Sequence, residues 1–250
     1  MANITLNGVD LSTYGLVTPG VAGVHDLPAM EVSHTVIPGR DYPDETDQRL
    51  SMRRLVFACA VVGDDHADLV TKLAALKGYL SPTLGYCALT ITDLTAKRIM
   101  ARSQGFPVRM DAIPYWAESV EFSLEFSAYP WWEDATDQAD LIASSPGTVD
   151  NGGDLVCYPT YTCTLSAVLA GGLYFEIQGK RFTYEGALAA TDVLVVTTDP
   201  AAPDVTLNGT RDFANTADDA EYPELVTGTN TVVLSSASFT LNVSRRERYL

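Results

Sequence analysis

The side chains that could do chemistry are few, and their spacing suits none of the usual kinds. His25, His34 and His66 stand without an acid–nucleophile pattern, and no two form the H-x-x-x-H pair that offers a metal two nitrogens on one helix face. His66 closes Gly63-Asp64-Asp65-His66, which mixes metal-type donors but reads better as a turn starting a helix. Asp150-Asn151-Gly152-Gly153-Asp154 and Asp218-Asp219-Ala220-Glu221 offer calcium hard oxygens, yet neither has the loop spacing of a calcium motif, and both read as solvated turns. In the first, Gly-Gly is expected to supply positive φ, and the flanking Asp and Asn to bond their own backbone. Gly179-Lys180 lacks the upstream glycine and following hydroxyl of a phosphate loop. Asn208-Gly209-Thr210 matches a glycosylation sequon but more simply makes a hairpin turn. Cys59, Cys87, Cys157 and Cys163 include no C-x-x-C pair. Placed on one strand, Cys157 and Cys163 would be roughly 20 Å apart and unable to pair. The expectation is a protein with reduced thiols, no catalytic residue, no cofactor and no metal.

Composition narrows the class further. A chain of 250 residues makes one large or two ordinary domains. Its longest apolar run, Leu55 to Val62, is far short of the ~20 residues that cross a bilayer, so no membrane insertion is expected. Met1-Ala2-Asn3 leads into no basic-then-apolar segment, which predicts no secretory signal. Net charge is −16: residues 1–135 carry 17 acidic and 10 basic side chains, and residues 136–250 carry 15 and 6. Three of those six are Arg245, Arg246 and Arg248. Without a basic stripe the chain is not built to grip nucleic acid.

The elements that would position any site are mostly strands. Val120, Phe122, Leu124 and Phe126 alternate with Glu121, Ser123, Glu125 and Ser127, the pattern of a half-buried strand. Leu173, Phe175 and Ile177 repeat it, as do Phe239, Leu241 and Val243. The unbroken run Leu55–Val62 predicts a strand covered on both faces. Leu69, Leu73, Leu76 and Leu80 form one helical stripe, with Asp65 as the cap, Asp68 near the positive end of the dipole and Ser81-Pro82 as the stop. Residues 35–50 read as a polar loop between two strands. The acidic, small-residue stretch 136–149 reads as a linker between domains 1–135 and 150–250.

Several short motifs together resemble the distal tail proteins (Dit family) of long-tailed, siphovirus-type bacteriophages. Ile37-Pro38-Gly39-Arg40-Asp41 is similar to the loop before the first long strand of that family's "belt" domain, and the helix Leu69–Leu80 occupies the family's helix position. Tyr129-Pro130 resembles the end of the belt. Gly153-Asp154, Tyr158-Pro159, Asp192–Thr197, Leu207-Asn208-Gly209 and Gly228-Thr229-Asn230 follow in the family's order, before Arg245-Arg246-Glu247-Arg248-Tyr249. Thr227-Gly228 stands where the family often has Pro-Gly, and no long insertion is present.

The resemblance implies a mainly β protein of two β-sandwich domains, a ring-forming belt with one packed helix and a galectin-like second domain. It implies a structural hub, not an enzyme, at the tip of a virion tail assembled in the host bacterial cytoplasm. Its partners would be itself as a homo-hexameric ring, the tail tube protein, the tip hub or tail-associated protein and the tape measure protein, with DNA passing through unbound. A carbohydrate-binding module and a minor tail-tube protein are the alternatives. The first is weakened because Trp116, Trp131 and Trp132 all fall in the first half. For a ring around DNA, Glu121 and Glu125 are the candidate lumen acids; a lumen of Arg40, Arg53 and Arg54 with the acids outside would contradict that. The second domain, with 14 acids against Lys180, Arg181 and Arg211 between Asp137 and Ser244, is expected on the outside of the ring without sugar affinity.

Overall fold

A computed structural model describes residues 3–35, 44–94 and 96–250. The motif Ile37–Asp41, with Arg40, lies outside the described residues. The chain divides into two compact units, Met1–Ala135 and Thr136–Tyr249. Both are mainly β and antiparallel, as expected.

In the first unit one antiparallel path runs Val9–Asp10, Ile4–Leu6, Cys87–Ile91, Lys97–Ser103, Ser119–Ala128, Arg53–Val62, Leu16–Ala22. The helix His66–Tyr79 starts where expected: the Asp65 carboxylate accepts from the Asp68 amide at 2.8 Å, satisfying a donor that the first turn leaves unpaired. The Asp68 carboxylate accepts from the Asp64 amide at 2.9 Å and pairs with Lys72 at 2.7 Å. Leu69, Leu73, Leu76 and the capping residue Leu80 are fully buried. Burying each such leucine is worth roughly 1.5–3 kcal/mol, several times the helix's intrinsic propensity. They share the core with Leu55, Phe57, Val61, Leu124 and Phe126, where the Phe57 and Phe126 rings meet edge-on at 5.8 Å.

Two expectations fail in this unit. The strand Arg53–Val62 is not covered on both faces: Leu55, Phe57, Cys59 and Val61 are buried, whereas Ala58 and Val62 are exposed and Val56 and Ala60 half-buried. Small alanines hide the alternation, because hydropathy counts them as core residues while two methyls on an outer face cost little. Residues 35–50 are not all loop either. Asp44–Leu50 pairs with Met30–Thr35 as a separate hairpin, bridged by Arg49 and Glu31 at 2.8 Å. Met30, Val32 and Leu50 share one face of it, but Met30 is exposed and the other two are half-buried, so this short apolar row joins no buried core.

The second unit is a β-sandwich. One sheet runs Gln138–Ile142, Phe239–Arg245, Thr160–Leu165, Val193–Thr197, Asp204–Leu207, Thr210–Arg211; the other runs Gly147–Asn151, Gly228–Leu234, Leu173–Ile177, Lys180–Tyr184. Segment 136–149 is therefore no linker. Gln138–Ile142 pairs with the last long strand and Gly147–Asn151 with Gly228–Leu234. Ile142 and Val149 reach the core from these two strands, and an acidic exterior masks them in the sequence. Aromatic rings fill the middle: Tyr161 to Phe175 at 4.8 Å, and Phe175 stacked on Phe182 at 5.3 Å. Buried Tyr161 donates its hydroxyl hydrogen to the Pro223 carbonyl at 3.1 Å. The two-residue hairpin at Asn208-Gly209 forms as expected, with φ of 50° and 80° at the two turn positions.

The Gly152-Gly153 turn forms for a different reason than expected. Neither glycine has positive φ among the described residues. A Cβ on Gly153 would lie 2.5 Å from the Arg248 carbonyl oxygen, so the glycine is required by close approach. The Asn151 side chain accepts from the Gly153 amide at 3.1 Å, as an Asx turn should. Cys157 sits ahead of the strand Thr160–Leu165, in an isolated bridge to Leu225, not on that strand as expected.

Candidate functional site: the outer face of the first sheet

Glu121 and Glu125 stand on the outer face of Ser119–Ala128. That strand pairs with Arg53–Val62 over ten residues without a register shift, from Arg53↔Ala128 to Val62↔Ser119. Residues opposite one another share a face, so Glu121 lies across from Ala60, Ser123 from Ala58, and Glu125 from Val56. Leu16–Ala22 extends the face through Val17, Gly20 and Ala22, with a bulge between Val17 and Gly20. The result is a small-residue surface of alanine, glycine and serine edged by two carboxylates, while Leu124 and Phe126 anchor it from beneath.

The two acids differ electrostatically. Glu125 receives a two-bond fork from Arg54, at 2.6 Å to one oxygen and 3.1 Å to the other. Glu125 in turn pushes the Arg54 pKa up, by hydrogen bonding and by charge. Glu121 is exposed and makes no side-chain ion pair among the described residues, so it carries the uncompensated charge of the face. Arg53 points the other way. Buried, it donates to the carbonyls of Pro130 at 2.7 Å, Asp26 at 2.7 Å and Val24 at 3.4 Å, and desolvation lowers its pKa against the opposing charge of Asp26. Arg53 is thus buried in the core, whereas Arg54 lies on the same face as Glu125, with its side chain 71% exposed.

Among the described residues the other candidate side chains are not brought together. His66 is the first helical residue, His25 sits in an exposed bend and His34 lies in Met30–Thr35. Among the described residues no three His, Cys, Asp or Glu side chains are placed to hold a metal ion. All four cysteines are free and buried; burial pushes the Cys59 and Cys157 thiols up to about 11 and Cys163 higher still. The C-terminal arginines are consumed internally. Buried Arg245 pairs with Asp140 at 2.7 Å, Arg246 with Asp137, and Arg248 lies over the Tyr158 ring at 5.0 Å. Among the described residues no helix is long and apolar enough to cross a membrane.

Two features escaped the sequence reading. Tyr115 and Trp116 protrude from a loop, 91% and 83% exposed. Past the far end of the helix lies an open groove of about 390 Å³, lined by Leu6, Val9, Tyr79, Leu84 and Cys87. The first was visible as adjacent aromatics belonging to no periodic run. The second combines residues from three separate segments and left no local signal.

No family model matches this sequence, and no curated protein matches it. Among solved structures, the fold is similar to the Dit protein of phage SPP1, described as a paradigm of the hub adsorption apparatus in phages infecting Gram-positive bacteria. That likeness has a TM-score of 0.82 at 17% identity and covers 100% of both chains. A chain of the phage P2 baseplate in its activated conformation with calcium is similar at a TM-score of 0.50 and 7% identity, over 99% of this chain and 98% of that one. The resemblance read from short motifs is thus borne out in the fold, and this chain has, along its whole length, the architecture of a phage Dit hub protein.

Proposed function

We propose that the protein is a distal tail protein, a non-enzymatic hub in the virion tail tip. It closes as a homo-hexameric ring through domain 1–135, joining the tail tube protein to the tip or baseplate proteins and meeting the tape measure protein. The observation that carries this reading is the likeness to SPP1 Dit over both complete chains. A likeness confined to the first unit would have suited a minor tail-tube protein equally well. The sandwich 136–249 faces outward and binds no sugar of its own, a reading supported by its lack of tryptophan and by tyrosines that are all buried or half-buried.

In this reading the outer face bearing Glu121 and Glu125 lines the lumen. A small-residue wall whose free charge is a carboxylate repels phosphate at short range, and Arg54 cannot grip DNA while Glu125 clasps it. Light scattering on the purified chain tests the ring: the expected mass is six times the 27.0 kDa monomer, and a monomer at every concentration would overturn it. Glu125→Ala tests the lumen. It unmasks Arg54, so the variant ring should retain linear DNA in low salt and release it in high salt, whereas wild type retains none. Equal behaviour of the two would place this face elsewhere.

A further inference from the structure

We infer that Arg53 is a positioning residue for the hairpin of Met30–Thr35 and Asp44–Leu50: its buried guanidinium bolts the base of the hairpin to the body of the first unit and fixes the angle at which the hairpin stands. This role holds whether or not the chain closes into a ring. Among the described residues the hairpin is a sheet of its own, paired with no other strand. A lone two-stranded ribbon is marginally stable in water. Its apolar row gives little anchorage, since Met30 is 60% exposed and Val32 and Leu50 only half-buried. The hold must therefore come from the two segments that carry the hairpin, residues 23–29 leading out and residues 51–52 leading back.

Those two segments are joined at Arg53. The Ser51 amide donates to the Ala29 carbonyl at 2.7 Å, closing the base of the hairpin. Two residues on, the Arg53 side chain reaches back to the outgoing segment, where Nη1 donates to the carbonyls of Asp26 at 2.7 Å and Val24 at 3.4 Å. Its Nε donates to the Pro130 carbonyl at 2.7 Å, 77 positions away, just beyond the strand Ser119–Ala128. One guanidinium thus ties the outgoing segment, the returning segment and the body of the unit. The outgoing segment also starts pressed against the strand that Arg53 opens: Gly23 has φ +87°, and a Cβ there would lie 2.3 Å from the Arg54 carbonyl oxygen. Arg53 is 6% exposed, and the opposing charge that acts on it, Asp26, belongs to the outgoing segment as well. Lifting that segment would strip a buried cation of two of its three acceptors and of that charge, and an unmatched buried charge is strongly destabilising. A planar fork with fixed donor directions sets an orientation as well as an attachment.

Amide hydrogen exchange on the whole chain, read peptide by peptide, tests the bolt because it separates local opening from global unfolding. Arg53→Met keeps a long side chain but removes the charge and every donor. In that variant exchange should quicken by about tenfold or more over residues 24–35 and 44–52, as expected when hydrogen bonds to a charged group are lost. The helix His66–Tyr79 should keep its wild-type rate. Arg53→Lys retains the charge but not the fork, so the same segments should quicken by a smaller factor. This milder variant carries the test by itself if Arg53→Met does not fold. Unchanged exchange over 24–35 and 44–52 in a folded variant would overturn the role. An increase spread evenly over hairpin and helix would overturn it too, by making Arg53 a support of the whole core and not of the hairpin.

Discussion

Gly153 and Gly209 separate two reasons for a glycine, and mutation should tell them apart. Gly209 occupies φ +80° with nothing within 4 Å of its missing Cβ, so Gly209→Ala should cost about 1–2 kcal/mol of backbone strain. Gly153 has ordinary φ, but its Cβ would lie 2.5 Å from the Arg248 carbonyl oxygen and 2.8 Å from the Arg248 amide nitrogen. Backbone must move, so Gly153→Ala should cost more, on the order of 2–4 kcal/mol. Urea midpoints of the two variants decide the ranking, and the reverse order would mean that the segment around Arg248 yields easily. The thiols give a second prediction. Cys59 and Cys157 titrate near 11, so at pH 8 on the order of one thiol in a thousand is a reactive thiolate, and burial shields even that. A thiol reagent should leave Cys59, Cys157 and Cys163 untouched in the native protein and find all four cysteines after unfolding. The sign for stability follows: the folded state holds these protons more tightly, so stability present below pH 9.0 declines as pH rises toward about 11. Fast labelling of three thiols at pH 8 would contradict the burial.

The helix His66–Tyr79 is the element where local and tertiary contributions can be compared. Asp65→Ala removes the cap that satisfies the Asp68 amide and should cost about 0.5–2 kcal/mol. Leu73→Ala empties a site with no solvent exposure and should cost about 2–5 kcal/mol. Equilibrium unfolding of both variants checks the order; a costlier cap would mean that the helix is held by its ends and not by its stripe. The stripe, the cap and the alternation of Ser119–Ala128 were all legible in the sequence, because one buried face imposes one period. Elements that bury no face, or bury it beneath acidic surroundings, were not. In the hairpin Met30–Thr35 with Asp44–Leu50 the apolar Met30, Val32 and Leu50 share a face but are only exposed or half-buried, and Gln138–Ile142 hides one core residue, Ile142, among exposed or half-buried neighbours. Glu121 and Glu125 were placed on the outer face by the same alternation. The Arg54 clasp that neutralises Glu125 was not, since it joins residues 71 positions apart.

At the scale of the whole molecule, each unit has the means to fold without the other. The second unit encloses its own core from Ile142 to Val243, with Tyr161, Phe175, Phe182 and Phe239 wholly buried inside it. Its C-terminal arginines close on its own acids, Arg245 on Asp140 and Glu247, and Arg246 on Asp137. Residues 136–250 thus hold this core and these ion pairs among themselves. Residues 136–250, expressed alone, should give a folded monomer with a fixed near-ultraviolet dichroism signal from its buried tyrosines. Residues 1–135 form the ring in the proposed reading, so that fragment alone should assemble. The second fragment, at −9 with 15 acids against 6 bases, should repel its copies and stay monomeric even when concentrated. Sedimentation of the two fragments side by side tests the division of labour. Assembly by 136–250, with 1–135 remaining monomeric, would assign the contact to the sandwich and remove the physical basis for a ring built by the first domain.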